Sequence, residues 1–480
     1  MKKFVLSLII AISILLPMNA HEGLRPRGDV NCDWEVNIAD INSLLDMILN
    51  EGTYHALYTY AYDVNGDKEI NIADINALVD GVMGAELLPM PSYSGTLPVL
   101  YINTEGYRDI TGKEKEDYLH ADWWLDNMGL EGYESLGSRE SPQGMLIKGR
   151  GNYTWSHVDK KSFRVKLDKK QPLMGMKKSR HFCLLAGDYW TNPVGFELSR
   201  RIGLAYTPAQ EPVEVVLNGQ YIGLYFITEK IRVDKDRVNV EEQPNGEQDS
   251  TMITGGWLLE IDGHVDENQF VITEGNGKWL GVTYHSPDSL SDVQYNYLHD
   301  FITQTDSAVY DTIPGRWEDY IDIDTLACFY IVNEVADEIE SFTNSLFAHK
   351  HRGDSTKLLF GPVWDFGCSF GRPWLEEPCF LYENTDEIYT PHWLLKIVES
   401  PNFQEAVHRH WREFYPSLES LEAYIDSVVT GIAPACEADM ARWPNLDCWW
   451  APMEWQSEYY YKPHLRDKIQ FLNDQWGESP

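Results

Sequence analysis

The sequence predicts an α+β chain in two parts: a small all-α duplicated module, then a large domain of mixed strands and helices. Three observations lead there. A 20-residue segment recurs near the N-terminus at an offset of 34. From about residue 97 short strand signals alternate with helical ones. Between them, residues 87–96 (LLPMPSYSGT) carry the Pro and Ser of a linker. The expected boundaries are 1–20 for an export signal, 24–88 for the module and 97–480 for the large domain. A chain of 480 residues has room for this, because single cores stop growing near ~250–300 residues.

The repeat reads DVNCDWEVNIADINSLLDMI at 29–48 and DVNGDKEINIADINALVDGV at 63–82, identical at 13 of 20 positions. Oxygen-bearing side chains fall at positions 1, 3, 5, 9 and 12 of each copy. They are Asp29, Asn31, Asp33, Asn37 and Asp40, then Asp63, Asn65, Asp67, Asn71 and Asp74. Calcium takes six to eight oxygens near ~2.4 Å, and an EF-hand-type loop supplies them at this spacing. Glu35 and Glu69, at position 7, add backbone carbonyls, so two Ca2+ sites are expected. Apolar residues at helical spacing follow each loop: Ile41, Leu44, Leu45 and Ile48, then Ile75, Leu78, Val79 and Val82. Neither loop is preceded by a convincing helix.

A calcium loop followed by one helix, twice over, resembles the dockerin family, which also carries Asp at position 12. Trp34 and Lys68 depart from the pattern at position 6, where the turn favours Gly. The resemblance implies a binding task with a cohesin-type domain as partner. In the family, positions 10 and 11 help choose that partner; here they are Ile38-Ala39 and Ile72-Ala73. Such duplicated apolar residues suit a two-fold symmetric binding face, or packing against the second domain.

Residues 1–20 read as an export signal: Lys2 and Lys3, an apolar run over 4–16, and Ala20 at a plausible cleavage point. No other stretch approaches the ~20 apolar residues that span a bilayer, so a secreted, extracellular, cell-surface or periplasmic protein is expected. Removing Lys2 and Lys3 takes the formal charge from −36 to −38. That argues against nucleic acid or anionic lipid as a partner, since phosphate binding needs Lys and Arg. Seven widely spaced cysteines make no disulfide framework and no C-x-x-C zinc pair.

In the large domain, residues 98–103 (PVLYIN) and 144–148 (GMLIK) read as strands. A polar turn at 150–155 (RGNYTW) leads into 160–167 (KKSFRVKL). There Phe163, Val165 and Leu167 share one face, and Arg164 and Lys166 the other. A basic face beside a Gly-containing turn suits phosphate; read alone, ordinary surface Lys and Arg account for it. Residues 213–231 form a hairpin about Asn218-Gly219, and 196–202 a helix stopped by Gly203. Residues 255–262 form a strand with Glu260 and Asp262 on one face. Asp324 is expected to cap a helix over 325–342, setting Asn333, Asp337 and Glu340 on one side. Residues 357–367 (KLLFGPVWDFG) read as a buried strand ending in Asp365-Phe366-Gly367.

These segments, with ELSRRIGLAYTP at 197–208, TGGWLLEID at 254–262 and FYIVNEV at 329–335, are similar to the CotH family of atypical, spore-coat-type kinases. The resemblance implies a divergent protein-kinase-like domain that binds ATP with Mg2+ or Mn2+ and phosphorylates a hydroxyl acceptor, a protein Ser or Thr. It places Arg150, Asn152, Lys161, Arg164, Lys166 and Glu229 on the nucleotide side, and Asp365 and Asn344 as metal ligands. Glu340 and Asp337 are the candidate catalytic carboxylates. Where the family has N-x-D after VNE, this chain has Glu338-Ile339-Glu340, and a carboxylate one methylene longer shifts catalytic geometry. Two rivals follow: a catalytically weak scaffold or adhesion component, and a dockerin-borne enzyme of polysaccharide breakdown. The latter has no recognisable glycosidase carboxylate pair.

Overall fold

The computed structural model describes residues 24–50, 59–187, 189–264, 268–370, 377–383, 392–444 and 461–477. The expected export signal at 1–20 and Cys448 lie outside these. The chain parts into two compact units, one of residues 1–169, 212–225 and 434–446, the other of 170–211, 226–433 and 447–480. The repeat module therefore falls in the first unit together with strands that follow it in sequence.

In the module, helix α1 (Ile38–Leu49) starts where the Asn37 side chain caps it and Asp40 closes the capping box from three residues on. A four-residue helix α2 (Thr59–Tyr62), not legible in the sequence, precedes the second loop. Helix α3 (Ile72–Val82) repeats the box with Asn71 and Asp74. Of the predicted apolar faces, Leu44, Ile75 and Leu78 are buried and join Val30 and Val64 in one small core, whereas Leu45, Val79 and Val82 are exposed. At position 6 of the loops, Trp34 and Lys68 stand in the left-handed region with φ 71° and 73°, the conformation that would favour Gly there.

Seven strands follow: β1 (Val99–Thr104), β2 (Leu119–Asp126), β3 (Gln143–Arg150), β4 (Ser162–Gln171), β5 (Ser179–Leu185), β6 (Gln210–Leu217) and β7 (Gln220–Glu229). They close into a barrel in the order β1-β2-β3-β4-β5-β7-β6, with β6 running parallel to β1. The hairpin β6–β7 turns on Asn218 (φ 51°) and Gly219 (φ 75°), the pair of positive φ values that a two-residue type I′ turn requires. The polar turn after β3 contains a short helix α4 (Tyr153–His157). Its Trp155 ring lies against Gly149, where an added Cβ would come within 2.3 Å of it.

The second unit carries helix α5 (Thr191–Ile202), stopped by left-handed Gly203 as expected. An antiparallel five-stranded sheet has the order β12-β11-β8-β10-β9. Its strands are β8 (Trp257–Ile261), β9 (Gln269–Thr273), β10 (Trp279–Ser286), β11 (Leu346–Lys350) and β12 (Leu358–Phe360). Around it lie α6 (Asp292–Val309), α7 (Ile323–Ala336), α8 (Leu394–Ile397), α9 (Pro401–Phe414), the long α10 (Leu421–Arg442), whose last turns belong to the first unit, and α11 (Lys462–Trp476). The almost wholly buried α7 packs in the middle of one large apolar core.

Three expectations are corrected here. The cap of α7 is Asp322, whose side chain accepts from Thr325 N, while Asp324 instead meets Arg409 and His410. The helix stops at Ala336 rather than running to 342, because Asp337 turns left-handed (φ 53°). Strand β12 ends at Phe360, where Gly361 takes φ 110° and Pro362 offers no N–H. No helix among the described residues is long and apolar enough to cross a membrane.

Lys68 is exposed and left-handed. A left-handed L-residue costs roughly 1–2 kcal/mol, against about 0.5–1 kcal/mol of extra unfolded-chain freedom for Gly. Lys68→Gly is therefore expected to stabilise the protein in calcium by about 0.5–1 kcal/mol, read by urea unfolding with helical signal of the module as probe.

Candidate functional site

In both loops the aspartates at positions 1 and 12 turn inward onto backbone N–H groups. Asp29, Asp40 and Asp74 are wholly buried and Asp63 is nearly so. Asp29 accepts from the backbone of Asp33 and Trp34, each at 3.1 Å. Asp40 accepts from Val30, Asn31 and Asn37. In the second loop Asp63 takes Gly66 and Lys68, and Asp74 takes Asn65 and Asn71. Asn31 and Asn65 donate to Asp33 and Asp67, whose carboxylates also accept from Glu35 N and Glu69 N. Asn37 and Asn71, expected as ligands, also serve as helix caps. Burial pushes the Asp29 carboxyl up, opposed by Arg25, whose Nε lies 3.9 Å away. An oxygen-only donor set with two buried carboxylates per loop is costly without a cation, and fits calcium.

In the first unit, strands β3 and β4 pair with Lys148 opposite Arg164 and Leu146 opposite Lys166. Met145, Ile147, Phe163, Val165 and Leu167 are buried on the other face. Lys148, which the sequence reading passed over, thus joins Arg150, Arg164 and Lys166 on one cationic face. Burial and the neighbouring Arg164 hold the Lys148 ammonium below its usual range. Asn152 accepts from Lys113 Nζ at 2.8 Å. Lys161 donates to Trp155 O at 2.5 Å, and burial lowers its pKa. The Arg164 Nε is buried with no hydrogen-bond partner among the described residues.

In the second unit, the turn after α7 brings the carboxylates of Glu338 and Glu340 and the Cys368 thiol within 4.8 Å of one another. Glu338 is buried and accepts from Glu340 N at 3.0 Å and Cys368 N at 3.2 Å. It thereby ties the Asp365-Phe366-Gly367 segment to the end of α7. Burial pushes its pKa well up, with Glu340 and Asp365 adding repulsion. Asp365 itself is exposed and left-handed (φ 61°), and the next residue is held by Phe366 N donating to Asn192 Oδ1. Asn344 Oδ1 accepts from Gly263 N at 3.0 Å.

Residues 147–472 match the family model described as CotH kinase protein. The chain belongs to the CotH family. Residues 27–80 match the dockerin type I domain, a calcium-binding module. No curated protein sequence matches the chain.

Within this CotH chain, two predicted residues are committed to ion pairs. Asp337 is buried between Lys468 Nζ (3.3 Å) and His464 Nε2 (3.1 Å). Glu229 is buried against Arg237 (2.6 Å) and also accepts from Tyr206 OH and Ala209 N. Glu338 was not among the predicted site residues; the signal for it was its place in the segment that departs from the family's N-x-D.

Removing the Glu338 carboxylate strands two backbone donors. Glu338→Ala is expected to destabilise the protein by about 3 kcal/mol, and Glu338→Gln, which keeps one acceptor oxygen, by less than half of that. Urea denaturation of the two variants checks the order.

Proposed function

We propose that this chain is a secreted kinase-like protein that transfers phosphate from ATP to a hydroxyl acceptor, a protein Ser or Thr, and attaches to a partner through its calcium-dependent dockerin domain. The observation that carries the catalytic part is the gathering of Glu338, Glu340 and Cys368 beside the Asp365 segment, where the family's metal and base residues fall. Bound Mg2+ or Mn2+ would supply neutralisation of phosphate charge. Asp365 and Asn344 are assigned to hold it, and Glu340 to accept the proton of the attacking hydroxyl. Glu338, buried and backbone-bound, positions Glu340. In the first unit, Lys148, Arg150, Arg164 and Lys166 with Lys161 and Asn152 are the groups assigned to nucleotide phosphate, consistent with the buried Arg164 Nε.

Calcium in both loops is supported by the buried carboxylates, and a cohesin-type partner by exposure of the residues at position 10, beside half-buried Ala39 and Ala73. Ile38 is 69% and Ile72 63% exposed. Export is supported by the pattern of residues 1–20 and by the extracellular habit of dockerin modules. A weaker reading, a scaffold with little transfer, is favoured by one observation: Asp337 is already held by Lys468 and His464, which leaves the longer Glu340 as the base.

Calorimetry on the full chain with ATP and either metal tests the catalytic part. Asp365→Ala should remove metal-dependent ATP binding while ligand-free melting moves by no more than about 2 °C, as expected for an exposed residue. Glu340→Gln should keep binding and lower transfer by roughly 100-fold or more. Absence of nucleotide binding with both metals would end this reading. Separately, Ile38→Asp with Ile72→Asp should leave calcium binding intact and abolish capture by a cohesin-type domain; undiminished capture would place the partner face elsewhere.

A further inference from the structure

The dockerin domain is not held to the rest of the first unit by the 87–96 linker alone. Two clasps join them, and each grips a residue that belongs to a calcium loop or touches one. The first is at loop one. Arg25 N donates to Gly219 O at 2.7 Å, at the tip of the β6–β7 hairpin. The buried Arg25 side chain then reaches Asp29, the first carboxylate of the loop. Trp34, at the position where such loops favour Gly, points its ring at the same tip. A Cβ added at Gly219 would come within 2.3 Å of Arg25 Cγ and 2.8 Å of Trp34 Cη2. The indole Nε1 donates to Tyr107 OH at 3.2 Å, and the Arg139 guanidinium stacks 4.5 Å above the ring.

The second clasp precedes loop two. The Arg27 guanidinium donates to the carbonyl of Asp63, the first residue of that loop, and to Leu88 O. The Tyr60 ring lies between Arg27 (5.5 Å) and Arg442 (4.5 Å). Its hydroxyl donates to Arg442 O at 3.1 Å, at the end of α10. Arg442 is itself buried and donates to Tyr221 O on β7.

We infer that the dockerin domain is a calcium-dependent clamp on its own barrel, so that loading the loops stabilises the β6–β7 hairpin and the end of α10. The inference rests on the calcium reading above. Its logic is linkage. The left-handed turn that aims the Trp34 ring is fixed by Trp34 N donating to Asp29 Oδ2, so the ring's position depends on the carboxylate that a cation would order. A ligand favouring one loop conformation favours whatever that conformation grips, and the coupling is reciprocal. The strained Trp34, a poor choice for the loop by itself, is accounted for by its grip on the barrel.

Hydrogen exchange of the full chain, in millimolar calcium and in chelator, tests this. In the natural chain calcium should slow exchange of residues 212–223 and 434–443 about fivefold or more, together with the loops and helices at 29–50 and 63–82. Trp34→Gly relieves the loop and removes the grip. It should keep calcium protection at 29–50 and 63–82 and lose it at 212–223. Tyr60→Leu, which alters no loop residue, should lose it at 434–443. Barrel exchange that ignores calcium while the loops respond overturns the clamp and leaves the calcium reading standing. Loops that do not respond at all overturn the calcium reading, and the clamp with it.

Discussion

Asn218 and Gly219 join three parts of the first unit, and each contact depends on their two positive φ values. Asn218 Oδ1 accepts from Thr104 N at 2.9 Å, and Asn218 N donates to Ile102 O. The turn is thus fastened to the end of β1, the strand that β6 must meet in parallel for the barrel to close. Parallel neighbours need a long crossover, here the whole of β2 to β5, so register at the closing seam is set by few local contacts. Glu214 adds to them from within β6. Its buried carboxylate accepts from Ser94 N, Ser94 Oγ and Tyr221 OH, which anchors the linker from the dockerin domain at the same seam. Gly219, lacking a Cβ, leaves space for Arg25 and Trp34.

Buried charge pairs organise the remainder. In the first unit Lys160 Nζ meets Asp439 at 2.7 Å, and the same carboxylate oxygen accepts from Leu224 N. Gly223 (φ 107°) permits this approach, since an added Cβ would stand 1.8 Å from Asp439 Oδ1. The end of α10 is thereby seated on β7. In the second unit Lys468 bridges Glu334 (2.8 Å) and Asp337. Removing one partner of such a pair leaves a buried charge uncompensated. In a chain with 39 Lys and Arg against 75 Asp and Glu, these pairings fix where individual carboxylates sit. Asp337 is taken by the tail helix α11, Glu338 is turned inward onto backbone donors, and Glu340 stands beyond them, half-exposed.

Much of this was readable in order along the chain. The repeat, both loop helices, the Asn218-Gly219 hairpin and the two faces of β4 all follow from contacts within a few residues. Periodicity and turn chemistry report such contacts directly. At the loop–helix junctions Asn37 and Asn71, expected as ligands, prove to be the helix caps, a role set by contacts two residues away.

The end of α7 was not legible, because the apolar pattern over 325–342 continues past the true stop. What ends the helix is Asp337 in its left-handed turn, with Lys468 and His464 from 131 and 127 residues further on holding its carboxylate. Glu338 reaches Cys368 N, 30 residues away, and Lys160 finds Asp439 across 279. A sequence states that a charge exists and which neighbours share its face. Which opposite charge it meets, and so whether it is a ligand, a base or a fastening, is settled only when distant segments are folded together and water is removed from between them.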